Sequence, residues 1–111
     1  MGDRRSVEII DGGESIFLYT HWMGEWLPKI VQDAISLKKH WDNGPHLARV
    51  ILIEMLAAGN EDEPIGIWNQ ILDTDYPGKE VVVDCDIQHV KIGDRAWPFK
   101  DYAEANLGFA D

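Results

Sequence analysis

Residues 16–26 constrain the fold of this chain most, because their pattern changes from that of a strand to that of a helix. Alternate side chains of a strand lie on opposite faces, which divides these residues into two sets. The sets are Phe17, Tyr19 and His21 on one face and Ile16, Leu18, Thr20 and Trp22 on the other. Since both sets are largely apolar, we expect a strand that is covered on both faces. Gly24 ends the alternation and Pro28 suits the first turn of a helix, so we expect the strand to lead directly into a helix.

The neighbouring residues predict a hairpin and two helices. A strand over residues 6–10 and the turn residues Asp11, Gly12 and Gly13 predict an antiparallel hairpin with the strand that begins at Ile16. An apolar stripe predicts a first helix over about residues 27–39. A second helix, over residues 45–59, is apolar at nearly every position from 47 to 58. Such a helix is typically central, so we expect it to lie flat on the sheet.

The second half of the chain predicts further strands and a short helix. Residues 65–72 have the pattern of a strand, and residues 73–79 have the composition of a turn. In residues 80–93 the apolar positions change from odd to even numbers, which indicates either one bulged strand or two strands joined by a tight turn. A short helix is expected to begin at Pro98 and to end near Gly108.

Together these elements predict an α+β fold in a single domain over residues 1–111. The expected order is ββααβββα. The predicted fold comprises an antiparallel sheet of about four to five strands, two helices packed on one face and a short C-terminal helix.

Acidic residues dominate the middle of the chain. The formal net charge is −10, and residues 60–86 contain eight acids with Lys79 as their single base. Direct nucleic-acid binding is therefore disfavoured, because it requires basic patches. Two interpretations remain: a solvated surface that keeps the protein soluble, or a surface that binds a basic partner, including by mimicry of a nucleic acid. For the second, the candidate protein-binding residues are Glu61, Asp62, Glu63, Asp73, Asp75, Asp84 and Asp86.

The sequence contains no recognisable catalytic or metal-binding motif. The histidines and paired aspartates follow no zinc or calcium spacing, and the nucleophile-elbow, phosphate-loop and dinucleotide motifs are absent. Cys85 lies in a valine-rich segment, which predicts a buried, inert thiol. We therefore predict no metal, no cofactor and no catalytic residue. A hydrolase whose two carboxylates meet only in space would leave no such motif.

A cluster of aromatic residues at the strand-to-helix junction is the candidate ligand site. It comprises Arg4, Tyr19, His21, Trp22 and Trp26, with Arg5 beside Arg4. Aromatic faces next to a guanidinium or imidazole suit a flat, anionic ligand such as a nucleotide. The alternative is that the tryptophans cover the core and that His21 binds a local carbonyl.

The sequence indicates neither a membrane span nor a secretion signal. No apolar run reaches the roughly 18 residues that a span requires, and the two arginines near the start precede no apolar segment. The single cysteine cannot form an internal disulfide, which is typical of a reducing compartment. We expect a cytoplasmic protein that does not bind membranes.

Two segments resemble a group of small, uncharacterised phage and bacterial proteins. Residues 1–6 read Met-Gly-Asp-Arg-Arg-Ser, and residues 18–24 read Leu-Tyr-Thr-His-Trp-Met-Gly. The group begins Met-Gly-x-Arg-Ser and continues with Leu-Tyr-x-His-Trp-x-Gly and a helix. This chain differs by an additional arginine before the serine and by Met23, where the group often has Asp. The resemblance covers about a quarter of the chain and implies a phage or mobile-element origin, hence a location in the host cytoplasm.

These observations lead to three hypotheses. The first is a phage-type accessory protein that binds and modulates or inhibits a host factor through the acidic surface. The second is sequestration of a small nucleotide-like ligand by the aromatic cluster. The third is a hydrolase without a sequence motif. Apolar side chains such as Trp68 and Trp97 also favour a homo-oligomer.

Overall fold

The structure is a computed structural model that describes residues 2–59 and 62–107. Within these residues it contains six strands, three α-helices and one 3-10 turn. The strands are β1 (Arg5–Asp11), β2 (Glu14–Thr20), β3 (Ile65–Trp68), β4 (Val81–Asp84), β5 (His89–Ile92) and β6 (Arg95–Pro98). The helices are α1 (Leu27–Ser36), α2 (Gly44–Ala58) and α3 (Phe99–Tyr102), and the 3-10 turn, Gly24–Trp26, directly precedes α1.

The strands form one mixed sheet in the order β3-β2-β1-β4-β5-β6. β1 pairs in parallel with β4, with Val7 opposite Val81, and the other neighbouring pairs are antiparallel. The α+β class is confirmed, but the predicted antiparallel sheet of four to five strands matches only roughly, because the sheet has six strands and one of its pairs is parallel. Residues 69–80 carry the chain from β3 past β2 to the far side of β1, so β4 runs in the same direction as β1. The element order is ββααββββα.

The predicted hairpin between β1 and β2 is confirmed. Asp11 lies opposite Glu14, and the two residues between them, Gly12 and Gly13, have φ values of 64° and 77°. A two-residue turn with two positive φ angles matches the twist of the flanking strands, and glycine adopts such angles without steric cost.

Residues 80–93 form a hairpin rather than one bulged strand. Asp84 of β4 lies opposite His89 of β5, and Gln88 in the turn has a φ of 53°. The following strand, β6, was not predicted from the sequence. It has four residues and ends in a proline, which leaves no alternation long enough to recognise.

The core lies between one face of the sheet and the helices α1 and α2. The sheet contributes Val7, Ile9, Leu18, Val81, Val83, Val90 and Ile92. The helices contribute Leu27, Val31, Ile35, Leu47, Ile51 and Met55. Phe17 and Tyr19, which face away from these helices, are only half-buried, so the expectation that β2 is covered on both faces is wrong.

Helix α1 is shorter than predicted. Its last residue is Ser36, and Lys38 and His40 follow with φ values of 57° and 61°. These left-handed conformations end the helix before the basic residues that were expected to form its last turn.

Helix α2 begins and ends close to the predicted positions. The Asn43 side chain accepts a hydrogen bond from the N–H of His46, and Asp11 accepts one from the N–H of Gly44. However, α2 is not the central helix that its composition predicted, since Ile53 is 47% exposed and Leu56 is also exposed. The sheet covers one side of α2, and no described element covers the other.

The C-terminal part of the described chain is attached to α1. The Tyr102 hydroxyl donates to the Pro28 carbonyl at 2.6 Å, and the Gln32 side chain donates to the carbonyls of Tyr102 and Ala105. Gly108, the predicted end of the last helix, lies outside the described residues. None of the helices described is both long enough and apolar enough to cross a membrane.

Candidate functional site

A cleft of about 570 Å³ opens at the junction between β2 and α1. We call it the tryptophan cleft. Its lining comprises Trp22, Met23, Trp26, Lys29, Ile30, Asp33, Ala58, Gly59 and Glu63. Trp22 and Trp26 are 49% and 47% exposed. Two large aromatic surfaces therefore remain accessible beside a partly apolar floor.

A hydrogen-bond network around Glu63 holds the corner where β2 ends. Its carboxylate accepts from the Thr20 hydroxyl at 2.9 Å and from the N–H of Trp22 at 3.1 Å. The Thr20 oxygen in turn accepts from the N–H of Met23 at 3.3 Å. One carboxylate thus fixes the backbone that carries Trp22, and it also contributes negative charge to the cleft.

The helix side of the cleft follows from the periodicity of α1. Trp26, Lys29, Ile30 and Asp33 have the i, i+3, i+4, i+7 spacing of residues that share one helix face. The Lys29 ammonium lies 3.0 Å from the Asp33 carboxylate, and both side chains are about half exposed. Lys29 is the base among the lining residues, and Asp33 already neutralises it. The negative charge of Glu63 therefore has no counter-charge among the lining residues.

His21 connects the cleft to a separate hollow. Its Nδ1 lies 2.8 Å from the Tyr19 hydroxyl, and its ring contacts Trp22 edge to face, with 5.3 Å between centroids. Tyr19 itself lines another hollow of about 710 Å³, together with Asp73, Thr74 and Glu80. His21 thus lies between two cavities rather than inside one.

Arg4 is ion-paired on the Tyr19 side of the molecule. Its guanidinium lies 3.0 Å from Asp75 and 3.6 Å from Asp73. Hydrogen bonds from the Arg4 side chain and from its backbone N–H lower the pKa of Asp75 to about 2. We call these three residues the Arg4 cluster. The five predicted ligand residues therefore do not converge: Trp22 and Trp26 share the cleft, His21 adjoins it, and Tyr19 and Arg4 lie elsewhere.

Arg5 is fully buried and supports the junction from within. Its guanidinium donates to the Lys79 carbonyl at 2.7 and 3.0 Å and to the Gly24 carbonyl at 3.1 Å, and it lies 4.4 Å from the ring centroid of Tyr76. Burial lowers the pKa of Arg5. A Cβ atom on Gly24 would lie 2.6 Å from both the Asp3 carbonyl and the Tyr76 ring, so this close approach requires glycine. We call Arg5, Gly24, Tyr76 and Lys79 the Arg5 corner.

The candidate protein-binding acids do not form one continuous face. Asp86 accepts hydrogen bonds from the N–H groups of Gly12 and Gly13 at one end of β1, whereas Asp75 pairs with Arg4 at the other end. Asp84 accepts from the N–H of Asp86. Glu63 belongs to the cleft, Asp62 and Asp73 are exposed, and Glu61 lies outside the described residues.

The described residues contain no group of three or more histidines, cysteines or acids that could hold a metal ion. Cys85 is buried, as predicted, and burial together with nearby carboxylates raises the pKa of its thiol to about 11. A thiol with such a pKa is a poor nucleophile at neutral pH.

Sequence reasoning identified both tryptophans of the cleft but missed Lys29, Asp33 and Gly59. The spacing of Trp26, Lys29 and Asp33 on one helix face was a usable signal, but the apolar stripe of α1 drew attention to the core side. Gly59 lies close to Glu63, since a Cβ atom on Gly59 would be 2.9 Å from the Glu63 side chain, and no local pattern indicates this approach.

A scan against protein-family models and searches of curated proteins and of solved structures find no match to this chain. The resemblance to phage and bacterial proteins therefore stays a prediction from two short sequence segments.

Proposed function

We propose that this protein acts by binding another protein, and that the tryptophan cleft receives a basic segment of that partner. The observation that carries the proposal is the pair of half-exposed indoles, Trp22 and Trp26, in one cleft. Tryptophan is among the residues that contribute most binding energy at protein interfaces, because it buries a large surface with little loss of conformational entropy.

The charge of the lining favours a cationic partner. Lys29 is paired with Asp33, so Glu63 gives the cleft a net negative charge. A lysine or arginine of the partner would stack on an indole face and lie near a carboxylate at the same time. The formal charge of −10 on the whole chain would accelerate association with such a segment.

The same charges disfavour the nucleotide hypothesis at this site. A phosphate group would approach Glu63 and Asp33, and the guanidinium of Arg4 is already bound by Asp75 on the Tyr19 side. Capture of a nucleotide-like ligand is therefore the second candidate. If the chain has the phage origin that the resemblance implies, the partner is a protein of the host cell.

Calorimetric titration with an oligo-arginine peptide tests this proposal, with an oligo-glutamate peptide and ATP as comparisons. We expect binding of the arginine peptide alone, with an affinity that falls steeply as salt is added. Trp22→Ala should weaken binding by about tenfold or more. Trp68→Ala is the matched control, because Trp68 is 55% exposed on β3 and does not line the cleft.

Three results would count against the proposal. They are binding that salt does not weaken, equal losses in Trp22→Ala and Trp68→Ala, and binding of ATP in place of the peptide. The last would favour the nucleotide hypothesis.

A further inference from the structure

We infer that β3 is an interface at which two copies of this chain pair edge to edge in a twofold-symmetric dimer. β3 lies at one edge of the sheet, and no described strand pairs with its other side. Edge strands present unpaired N–H and C=O groups, and proteins usually block such edges with charges, prolines or bulges. The two edges of this sheet differ in this respect.

The β6 edge carries such blocking features and the β3 edge does not. β6 contains Pro98, which has no N–H to donate, and the charged Arg95. By contrast, residues 65–72 form an uncharged run without proline in a chain of which 27% is charged. Ile67 and Trp68 of this run are 51% and 55% exposed. The β3 edge is therefore open to pairing.

One hydrogen bond establishes which backbone groups of β3 point outward. The N–H of His21 donates to the Pro64 carbonyl at 3.2 Å, so His21 and Pro64 form a bonded pair. The next pair along the two strands is Thr20 opposite Ile65, which is therefore non-bonded. Bonded and non-bonded pairs alternate along an antiparallel ladder, so Gly66 and Trp68 bond to β2. The N–H and C=O groups of Ile65 and Ile67 consequently point to the free side.

The side chains of this edge are complementary to themselves. An antiparallel pairing with its twofold axis at Ile67 places Trp68 of each copy opposite Gly66 of the other. Residues in such a non-bonded pair have Cα atoms about 4.5 Å apart, so a bulky indole fits best opposite a residue without a side chain. The two copies of Ile67 face each other on the other side of the sheet.

The residues of this run avoid the like-charge repulsion that two copies of the chain would otherwise meet. Like charges repel over most of the surface of a protein with a net charge of −10, and this run contributes none. Acids flank this run on both sides. In the proposed register Asp73 of one copy lies about two residues from Glu63 of the other along the ladder, or roughly 7 Å, which is within the Debye length of about 8 Å at physiological salt. The dimer should therefore become tighter as salt is added.

The dimer should be reversible. A contact made by one four-residue strand from each copy is small, so we expect a dissociation constant in the micromolar range or weaker. Sedimentation equilibrium of the full chain from micromolar to millimolar concentration measures it directly. Amide exchange by NMR locates the contact, because the amides of Ile65 and Ile67 should become protected as concentration rises, whereas those of Gly66 and Trp68 are already bonded to β2.

Two variants should separate the dimer from the stability of the monomer. Gly66→Val places a side chain where the partner's Trp68 would lie, yet within one chain a Cβ at this position meets only Tyr19, at 3.9 Å. We expect a folded monomer whose dissociation constant is at least about tenfold higher. Ile67→Lys should have the same effect by placing two positive charges on the axis.

Ile53→Lys is the matched control, since Ile53 on α2 is 47% exposed and Ile67 is 51% exposed. It should leave the dissociation constant unchanged. A chain that is monomeric at millimolar concentration would overturn the proposal. So would a dimer that survives Gly66→Val and Ile67→Lys, or one that Ile53→Lys abolishes, which would place the interface on α2.

Discussion

Arg4 and Arg5 are adjacent in the chain but occupy opposite environments. Arg4 is partly exposed and pairs with two carboxylates, whereas Arg5 is fully buried and donates to backbone carbonyls beneath the Tyr76 ring. Exposed ion pairs contribute little to stability because water already solvates both charges. A fully buried guanidinium that donates three hydrogen bonds to backbone carbonyls is costly to remove. We therefore expect Arg5, which has no carboxylate partner among the described residues, to contribute more to the free energy of unfolding than Arg4.

The largest expected effect comes from Arg5→Met, which preserves much of the side-chain length but removes the donors. The buried carbonyl of Gly24 and the partly buried carbonyl of Lys79 would then lose the hydrogen bonds that Arg5 donates to them. We expect a loss of about 3 kcal/mol in the free energy of unfolding, measured by urea denaturation. Arg5→Lys should lose less, because it retains a charge and can donate to one carbonyl. A loss below about 1 kcal/mol in Arg5→Met would contradict the importance of the Arg5 corner.

An intermediate effect is expected on alkaline titration of Tyr76. Burial, the hydrogen bond from its hydroxyl to Asp3 and the charge of Asp3 raise the pKa of Tyr76 to about 12. The pKa of a tyrosine in the unfolded chain is about 10. The contribution of protonated Tyr76 to the free energy of unfolding is therefore fully present below pH 10 and is lost as pH rises through about 12.

Tyrosinate absorbance measures this titration, with Tyr76→Phe identifying the group responsible. Asp3→Asn should move the midpoint of Tyr76 towards pH 10, because it removes the negative charge beside the hydroxyl. A midpoint that Asp3→Asn leaves unchanged would show that the hydrogen bond does not contribute.

The smallest effect is expected in the Arg4 cluster at acid pH. The pKa of Asp75 is lowered to about 2, so its contribution to stability is present above about pH 4 and declines as pH falls through 2. Urea denaturation between pH 5 and pH 2 should show this decline, and Asp75→Asn should remove it. Asp73→Asn is the matched control, because Asp73 lies farther from Arg4 and is almost fully exposed. A larger effect in Asp73→Asn than in Asp75→Asn would contradict the assignment.

The parts of the fold that depend on local chemistry were predictable from the sequence. Gly12 and Gly13 indicated the first hairpin, and Asn43 followed by Gly44 and Pro45 indicated the start of α2. In each case the residues that determine the backbone conformation are adjacent in the chain. The change of parity in residues 80–93 similarly restricted that segment to a bulge or a hairpin.

Features that depend on distant contacts were not predictable. The parallel pairing of β1 with β4 joins Val7 to Val81, and no local pattern distinguishes it from an antiparallel pairing. The exposed outer side of α2 depends on how many layers pack around it, which its apolar composition alone does not reveal. At the candidate site, the sequence identified Trp22 and Trp26 but could not show that Arg4 and Arg5 point to opposite sides.

The central position of β1 has a consequence for how the chain is made. Its first pairing partner, β2, follows within a few residues. Its second partner, β4, begins about seventy residues after the end of β1 and is synthesised correspondingly later. During translation, one side of β1 therefore lacks its native neighbour until residues 81–84 leave the ribosome, and the core cannot close around Val7 and Ile9 before then. Because pairing between such distant segments is slow, the nascent chain passes through a stage at which chaperones or a second nascent chain can bind.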